Sequence, residues 1–357
     1  MNEYVKQTSL NSYWVKNKLD ILPLHEKLKK LVSNHYDKEF IKYVNSVKIT
    51  QLTAAELQQC KTEQKLVEFL FARYRYDTFP QNFKLDNYPP LIQIELSALC
   101  NYRCVFCFQQ NSDFFKKKQN AGNMTIQSFK KIIDEIQGKV PFINLASRGE
   151  PFINSNLPAM LEYCKDRFQT IKINTNGSLI TKKTAVSIFE NNVNLIVISI
   201  DSFDDNQYEK LRVNGKLKKI YENVKLLHDV KSTFQNCNTI IRISGVEQTD
   251  NVVQIPESWK RLADQITTVN YFPWENIYEN TPNGITKPCS SLWRRLIVNF
   301  DGVVNPCDAD YKNHNQIGTI ESKTIQQLWQ SLKLNRLRAL HLTRRQEIEV
   351  CKGCNYV

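Results

Sequence analysis

Three cysteines, Cys100, Cys104 and Cys107, stand four and then three residues apart in the segment Cys100-Asn-Tyr-Arg-Cys104-Val-Phe-Cys107. Thiolates so close together in a chain can ligate three irons of a cubane [4Fe–4S] cluster and leave the fourth iron open. A structural zinc ion wants four closed ligands, commonly from two CxxC pairs, so a set of three suits zinc poorly. The apolar run Leu91–Leu96 that leads into the set alternates as a strand does.

A second set, Cys289, Cys307, Cys351 and Cys354, occupies the C-terminal part of the chain, at intervals of 18, 44 and 3 residues. Four thiolates can close a further [4Fe–4S] cluster, and they satisfy a zinc ribbon equally well. Asp308 follows Cys307 directly. A carboxylate beside a cluster could take the proton of a substrate hydroxyl, or it could simply cap a turn in Cys307-Asp-Ala-Asp-Tyr311. Cys60, Cys164 and Cys237 are left over and read as small buried hydrophobes.

Further polar segments follow the first set in order: Ser147-Arg-Gly149-Glu150-Pro151, Asn174-Thr-Asn176-Gly177, Ser199-Ile-Asp201-Ser202, Arg212, and Ser244-Gly-Val246. With CxxxCxxC spacing and Phe106 just before the last cysteine, the chain resembles the radical S-adenosylmethionine (SAM) superfamily. The resemblance implies that the open iron is chelated by SAM's amino and carboxylate groups. An electron from the reduced cluster then cleaves SAM to a 5′-deoxyadenosyl radical, which abstracts a substrate hydrogen atom. It also implies a place for each polar segment. Gly149 and Glu150 correspond to the segment that binds the SAM amino group, although Arg148 stands where many members have Gly and puts a cation near the active face. Asn174 and Asn176 belong to a common Thr-Asn-Gly segment, Ser199 and Asp201 to the ribose contact, with Arg212 close after it, and Val246 to the adenine contact. The last cysteines resemble a SPASM/twitch extension with one auxiliary [4Fe–4S] cluster, and in sulfatase-maturing members an aspartate in the place of Asp308 acts as a base.

The rest of the composition narrows the class. The chain has 357 residues, 41% of them hydrophobic and 24% charged, an ordinary globular balance. It shows neither a membrane-length apolar run nor a signal-peptide pattern, so a cytoplasmic protein is expected, and clustered cysteines in a reducing compartment point to metal. The formal charge of +12 is spread along the chain in short clusters such as Lys116–Lys118, with no nucleic-acid motif beside it. A small-molecule substrate and an external electron donor such as flavodoxin or ferredoxin are the expected partners. The chemistry expected is a two-electron oxidation of a sugar-like or alcohol substrate; the alternative is a peptide-modifying maturase or epimerase.

Positioning these residues calls for an α/β fold. Residues 1–88 read as a helical extension, with Leu24, Leu28 and Leu31 at helical spacing. Residues 89–275 alternate strands (Leu91–Leu96, Phe142–Ala146, Thr170–Asn174, Leu195–Ile200, Thr239–Ser244, Thr267–Phe272) with helices (Thr125–Gln137, Leu157–Lys165, Lys182–Asn191, Leu217–Lys231). Such repetition predicts a parallel sheet with crossover helices, and six units resemble the family's partial (β/α)6 barrel. Chemistry in such barrels sits at the C-terminal ends of the strands. Residues 276–357 resemble a SPASM/twitch domain, with a hairpin signal at Phe300-Asp-Gly302 and a helix expected over Ile325–Leu340.

Overall fold

The structure is a computed structural model that describes residues 10–18, 20–35, 37–247, 255–275 and 277–356. It opens with strand β1 (Leu10–Val15), then helices α1 (Ile21–Val32), α2 (Lys38–Ser46), α3 (Gln51–Leu57) and α4 (Glu63–Thr78). Asp20, Asp37 and Thr62 cap α1, α2 and α4 by accepting backbone N–H groups. Strand β1 departs from the all-helical reading of this stretch, because it is the outer, antiparallel edge of the main sheet and finds its partner more than two hundred residues away.

Next come β2 (Leu91–Ile94), the short β3 (Arg103–Cys104), α5 (Ser112–Phe115), α6 (Ile126–Ile136), β4 (Phe142–Asn144), α7 (Leu157–Cys164), β5 (Thr170–Thr175), α8 (Lys182–Glu190) and β6 (Leu195–Ser199). They are followed by α9 (Asp205–Leu211), the short β7 (Arg212–Val213), α10 (Leu217–Ser232), β8 (Ile240–Glu247), α11 (Glu257–Lys260) and β9 (Gln265–Asn270). Strands β2, β4, β5, β6, β8 and β9 lie parallel and in that order, the layout expected of a partial barrel. The two strand faces divide the labour. Ile92, Ile94, Ile143, Ile171, Ile173, Ile196, Ile198, Ile241 and Ile243 pack under the helices, where α6 adds Phe129, Ile132, Ile133 and Ile136. The alternate residues face the lumen, since successive side chains of a strand point opposite ways.

Helix α3 closes the lower end of that lumen: Ala55 packs on Leu195, Val197 and Ile240, and Gln59 donates to the carbonyls of Asn194 and Asn238. A cavity of about 1070 Å³ lies between α3, α4 and the loops that enter the strands, at the end of the barrel remote from the Cys100 loop.

The C-terminal region holds β10 (Arg295–Val298), β11 (Val303–Asn305), β12 (Gly318–Thr319), α12 (Ile325–Trp329) and α13 (Leu332–Thr343). Strands β10 and β11 form the hairpin expected at Phe300–Gly302. β10 also pairs in parallel with β2, so this region extends the barrel sheet itself. The single helix expected over Ile325–Leu340 is two. The backbone turns at Gln330, and Ser331 restarts it as the N-cap of α13. No helix among the described residues is long and apolar enough to cross a membrane.

Candidate active site

The Cys100 loop leaves β2 at its C-terminal end and is pinned from several sides. The backbone N–H groups of Tyr102 and Gln109 donate to Sγ of Cys100 and Cys107, each at 3.5 Å. Arg103 donates to the carbonyls of Cys100 and Tyr102. Buried Gln109 donates to those of Ala98 and Arg148. The pairing of β3 with β7 brings Arg212 to Cys104, its Nη1 3.9 Å from Sγ. Burial pushes the Cys100 and Cys107 thiols up to about 12. Only a bound metal's charge would make thiolates there at neutral pH. Three thiols facing one another, with N–H groups aimed at two of the sulfurs, fit an iron-sulfur cluster.

Gly149 sits beside this loop because nothing larger can. A Cβ there would lie 2.4 Å from the carbonyl oxygens of both Ser97 and Leu99. The buried Glu150 carboxylate accepts from Thr175 Oγ1 (2.7 Å), Asn176 N (2.7 Å) and Phe152 N (3.1 Å). Burial pushes its pKa up to about 7 in spite of these donors. Asn176 in turn donates to Asn101, next to Cys100. Glu150 and Asn176 thus fix the loop by their side chains and leave backbone groups to meet a cofactor.

A second node forms where β6 and β8 end. Asp201 Oδ2 accepts from Arg212 Nε at 2.6 Å, and its Oδ1 accepts from the Val246 N–H at 2.8 Å. Arg212 also lies over the Phe106 ring, 5.7 Å from its centroid. Phe106, Cys104, Asp201, Arg212 and Val246 are therefore together. Each Asp201 oxygen thus accepts one hydrogen bond and keeps a further lone pair; Ser199 stands at the strand end beside it. Gly245 lets β8 approach here, since a Cβ would lie 2.4 Å from the carbonyl oxygen of Ile200.

Arg148 is a correction. Its guanidinium does not face the active site as a free cation; it is buried against Glu95, with Nη2 to Oε1 at 2.6 Å and Nε to Oε2 at 2.7 Å. Its Nη1 reaches the Tyr311 carbonyl, and the Phe300 N–H donates to Glu95, so the pair ties β2 to the C-terminal hairpin.

The second cysteine set also assembles. Burial foremost, then the Asp308 carboxylate and then the neighbouring Cys351, Cys289 and Cys354 hold the Cys307 thiol well above the usual range. An aromatic seam joins the two sets: Phe108 stacks on Tyr311 with centroids 5.0 Å apart, and Cys107, Cys307 and Cys354 all border that cluster. Among the described residues no three His, Cys, Asp or Glu side chains close on one point as ligands of a single ion would. Asp308 is a further finding: Arg295 grips both of its oxygens, at 2.8 and 3.0 Å.

Sequence reading missed His341, which lies ten residues before Cys351 and carries no ligand spacing. Its Nδ1 accepts from the Cys289 N–H, which leaves the ring proton on Nε2, 3.3 Å from Cys351 Sγ. Burial, with Arg345 nearby, pushes its pKa down to about 4, so the ring is neutral. An N–H donated to a cluster sulfur raises the cluster's potential. His341→Phe is therefore expected to keep the iron content and move the auxiliary cluster's midpoint to more negative values in an EPR-monitored redox titration. An unchanged midpoint would show that the contact is structural only.

The lumen was missed as well. In register across β2, β4 and β5 it presents Gln93, Asn144 and Lys172, and one step higher Asn174 and Arg242. Asn144 Oδ1, Asn174 Oδ1, Gln265 Nε2 and Arg295 Nε are buried there without hydrogen-bond partners. Strand alternation carried this signal, but it does not tell which face of a strand such as Thr170–Thr175 lines a lumen.

Residues 94–253 match the radical SAM superfamily, and residues 289–355 match the iron-sulfur cluster-binding SPASM domain. Among proteins of known sequence, the chain is 22% identical over 206 residues to an uncharacterized protein of Methanocaldococcus jannaschii (56% of this chain, 64% of that one). It is 21% identical over 185 residues to a probable GTP 3′,8-cyclase of Methanococcus maripaludis (51% and 59%). To an AdoMet-dependent heme synthase of Methanosarcina barkeri it is 25% identical over 180 residues (50% and 50%). The match thus spans 50–64% of the length of these relatives. In fold it is similar to BtrN in complex with AdoMet and 2-DOIA, at a TM-score of 0.52 and 18% identity, covering 76% of this chain and 95% of that one. It is also similar to Streptococcus suis SuiB bound to S-adenosylmethionine, at 0.53 and 14%, covering 89% and 88%.

Proposed function

We propose that this chain, which belongs to the radical SAM superfamily and carries a C-terminal iron-sulfur cluster-binding SPASM domain, oxidises a small polar substrate by two electrons inside its barrel lumen. The coarse chemistry goes with the family: a [4Fe–4S] cluster and SAM, when bound, supply a 5′-deoxyadenosyl radical that takes a hydrogen atom from the substrate. Cys100, Cys104 and Cys107 would hold that cluster, and the backbone at Gly149 and Glu150, with the Phe106–Arg212–Val246 node, would frame SAM. Cys289, Cys307, Cys351 and Cys354 would hold one auxiliary cluster able to accept the second electron. An external donor such as flavodoxin or ferredoxin would reduce the enzyme. The chain's own work is to orient the reactants and keep water out.

The observation that carries the substrate reading is the character of the lumen. A closed parallel barrel is filled by branched apolar side chains; here Gln93, Asn144, Lys172, Asn174 and Arg242 face inward, and the buried amide oxygens of Asn144 and Asn174 lack partners. Unpaired buried polar atoms cost stability and are satisfied by a polar ligand. The Asp308–Arg295 pair borders the same space from β10, which lies beside β2.

As a base, Asp308 would have to release one oxygen from Arg295 before taking a proton. Asp308→Asn is expected to slow product formation about a hundredfold while SAM binding stays unchanged. Each turnover should consume one SAM, yield a product two hydrogens lighter, and carry deuterium from the reacting carbon into 5′-deoxyadenosine. A product of unchanged mass would replace oxidation by epimerisation or mutation of the skeleton. A variant as fast as the parent would leave Asp308 as the partner of Arg295 alone.

A further inference from the structure

Resting on the reading that the substrate occupies the lumen, we infer that this substrate is an anion, whose phosphate or carboxylate group is received by the Lys172 ammonium between Arg242 and Arg295. Lys172 faces inward from the middle of β5, level with Asn144 on one side and Leu195 on the other. Arg242 faces inward from β8, one layer higher, and Arg295 from the start of β10. The two arginines already have carboxylates: Glu56 of α3 lies 3.5 Å from Arg242, and Asp308 grips Arg295. Lys172 makes no hydrogen bond and no ion pair with any described residue, so three cations face two carboxylates and one positive charge is left over. Most lysines end in open solvent; this one, half-buried, points into the lumen.

That arrangement is expensive without an anion. Burial, with Arg242 and Arg295 close by, pushes the Lys172 ammonium down to about 8, although Glu56 opposes this. A fold that needed only to fill this place would hold an apolar residue, as β6 and β8 do at Leu195, Val197 and Ile240 on the same face. The unpartnered amide oxygens of Asn144 and Asn174 belong to the same face as Lys172 and suit the hydroxyls of the rest of the molecule.

The test uses full-chain reconstituted protein and inorganic phosphate as probe, at constant ionic strength held with chloride. Phosphate should bind saturably by titration calorimetry and raise the melting temperature of the parent. Lys172→Met should weaken phosphate binding at least tenfold, as expected when one partner of a buried charge-assisted contact is truncated. Its melting temperature without phosphate should equal or exceed the parent's, because the unpaired charge beside Arg242 and Arg295 is gone. Lys172→Arg should bind phosphate, and an exposed control, Lys182→Met, should match the parent. Should Lys172→Met not fold, Lys172→Gln answers the same question. Equal phosphate affinity in parent and variant, or no saturable effect of phosphate or malonate on the parent, overturns the inference. Release of 5′-deoxyadenosine from SAM, followed in parallel, reports on the radical chemistry alone, so its failure is told apart from failure of the anion site.

Discussion

Replacing Cys100, Cys104 and Cys107 together by alanine is expected to abolish the release of 5′-deoxyadenosine and methionine from SAM under dithionite. It should also remove about half of the iron from anaerobically reconstituted protein. Two [4Fe–4S] clusters bring about eight irons per chain, and the triple variant should retain about four. The effect is total because no other described group can replace the set. Tyr102 and Gln109 aim their N–H groups at these sulfurs and at no others, and Arg212 meets Cys104 through the β3–β7 pairing. The variant should still fold, since the loop is held by Gln109, Gln110 and Arg103 through backbone carbonyls rather than through the thiols. Equal SAM turnover by parent and variant would remove the assignment of this set. Iron near four per chain in the parent, with zinc as the balance, would remove the auxiliary cluster instead.

Much of the scaffold was legible because its signals are local. The strands and helices of the barrel fall within a few residues of their expected bounds: an isoleucine-rich alternation such as Thr170–Thr175 can only be a half-buried strand, and Phe129, Ile132, Ile133 and Ile136 define one helix face. Motif order drew attention to Phe106, Asp201, Arg212 and Val246 singly, and the fold brings them into one node. What escaped depended on distant partners. β1 is recognisable only once β9 is present to pair with it, and the break at Ser331 needs the packing of Trp329 under Arg338, whose Cζ lies 4.2 Å from the ring centroid. Charged residues were the hardest to read. Arg148, Asp308, Arg242 and Lys172 look alike as sequence, yet three are in ion pairs and the fourth is not. Only the fold distinguishes a charge that is satisfied from one that waits for a ligand.

Arg148→Met is expected to be the most destabilising single exchange near the site, at about 3–5 kcal/mol, because it strands a fully buried carboxylate. Glu95 is wholly enclosed and receives two guanidinium hydrogen bonds, besides the N–H groups of Arg148 and Phe300. Without the guanidinium the two backbone donors remain, which is too little to solvate a full negative charge. The loss reaches further than the pair. Arg148 Nη1 holds the Tyr311 carbonyl, and Tyr311 stacks on Phe108 next to Cys107, so the first cysteine loop and the auxiliary region would loosen together. The melting temperature should fall by several degrees, and both iron content and 5′-deoxyadenosine release should fall with it. Adding Glu95→Leu to Arg148→Met should restore most of the stability, since two apolar side chains of similar volume leave no unpaired charge. It should not restore the Tyr311 tether, so 5′-deoxyadenosine release should stay below the parent's. A double-mutant cycle measures this coupling directly. If the two single variants and the double variant were simply additive, Glu95 and Arg148 would be independent residues, and the pair would not join the barrel to its C-terminal hairpin.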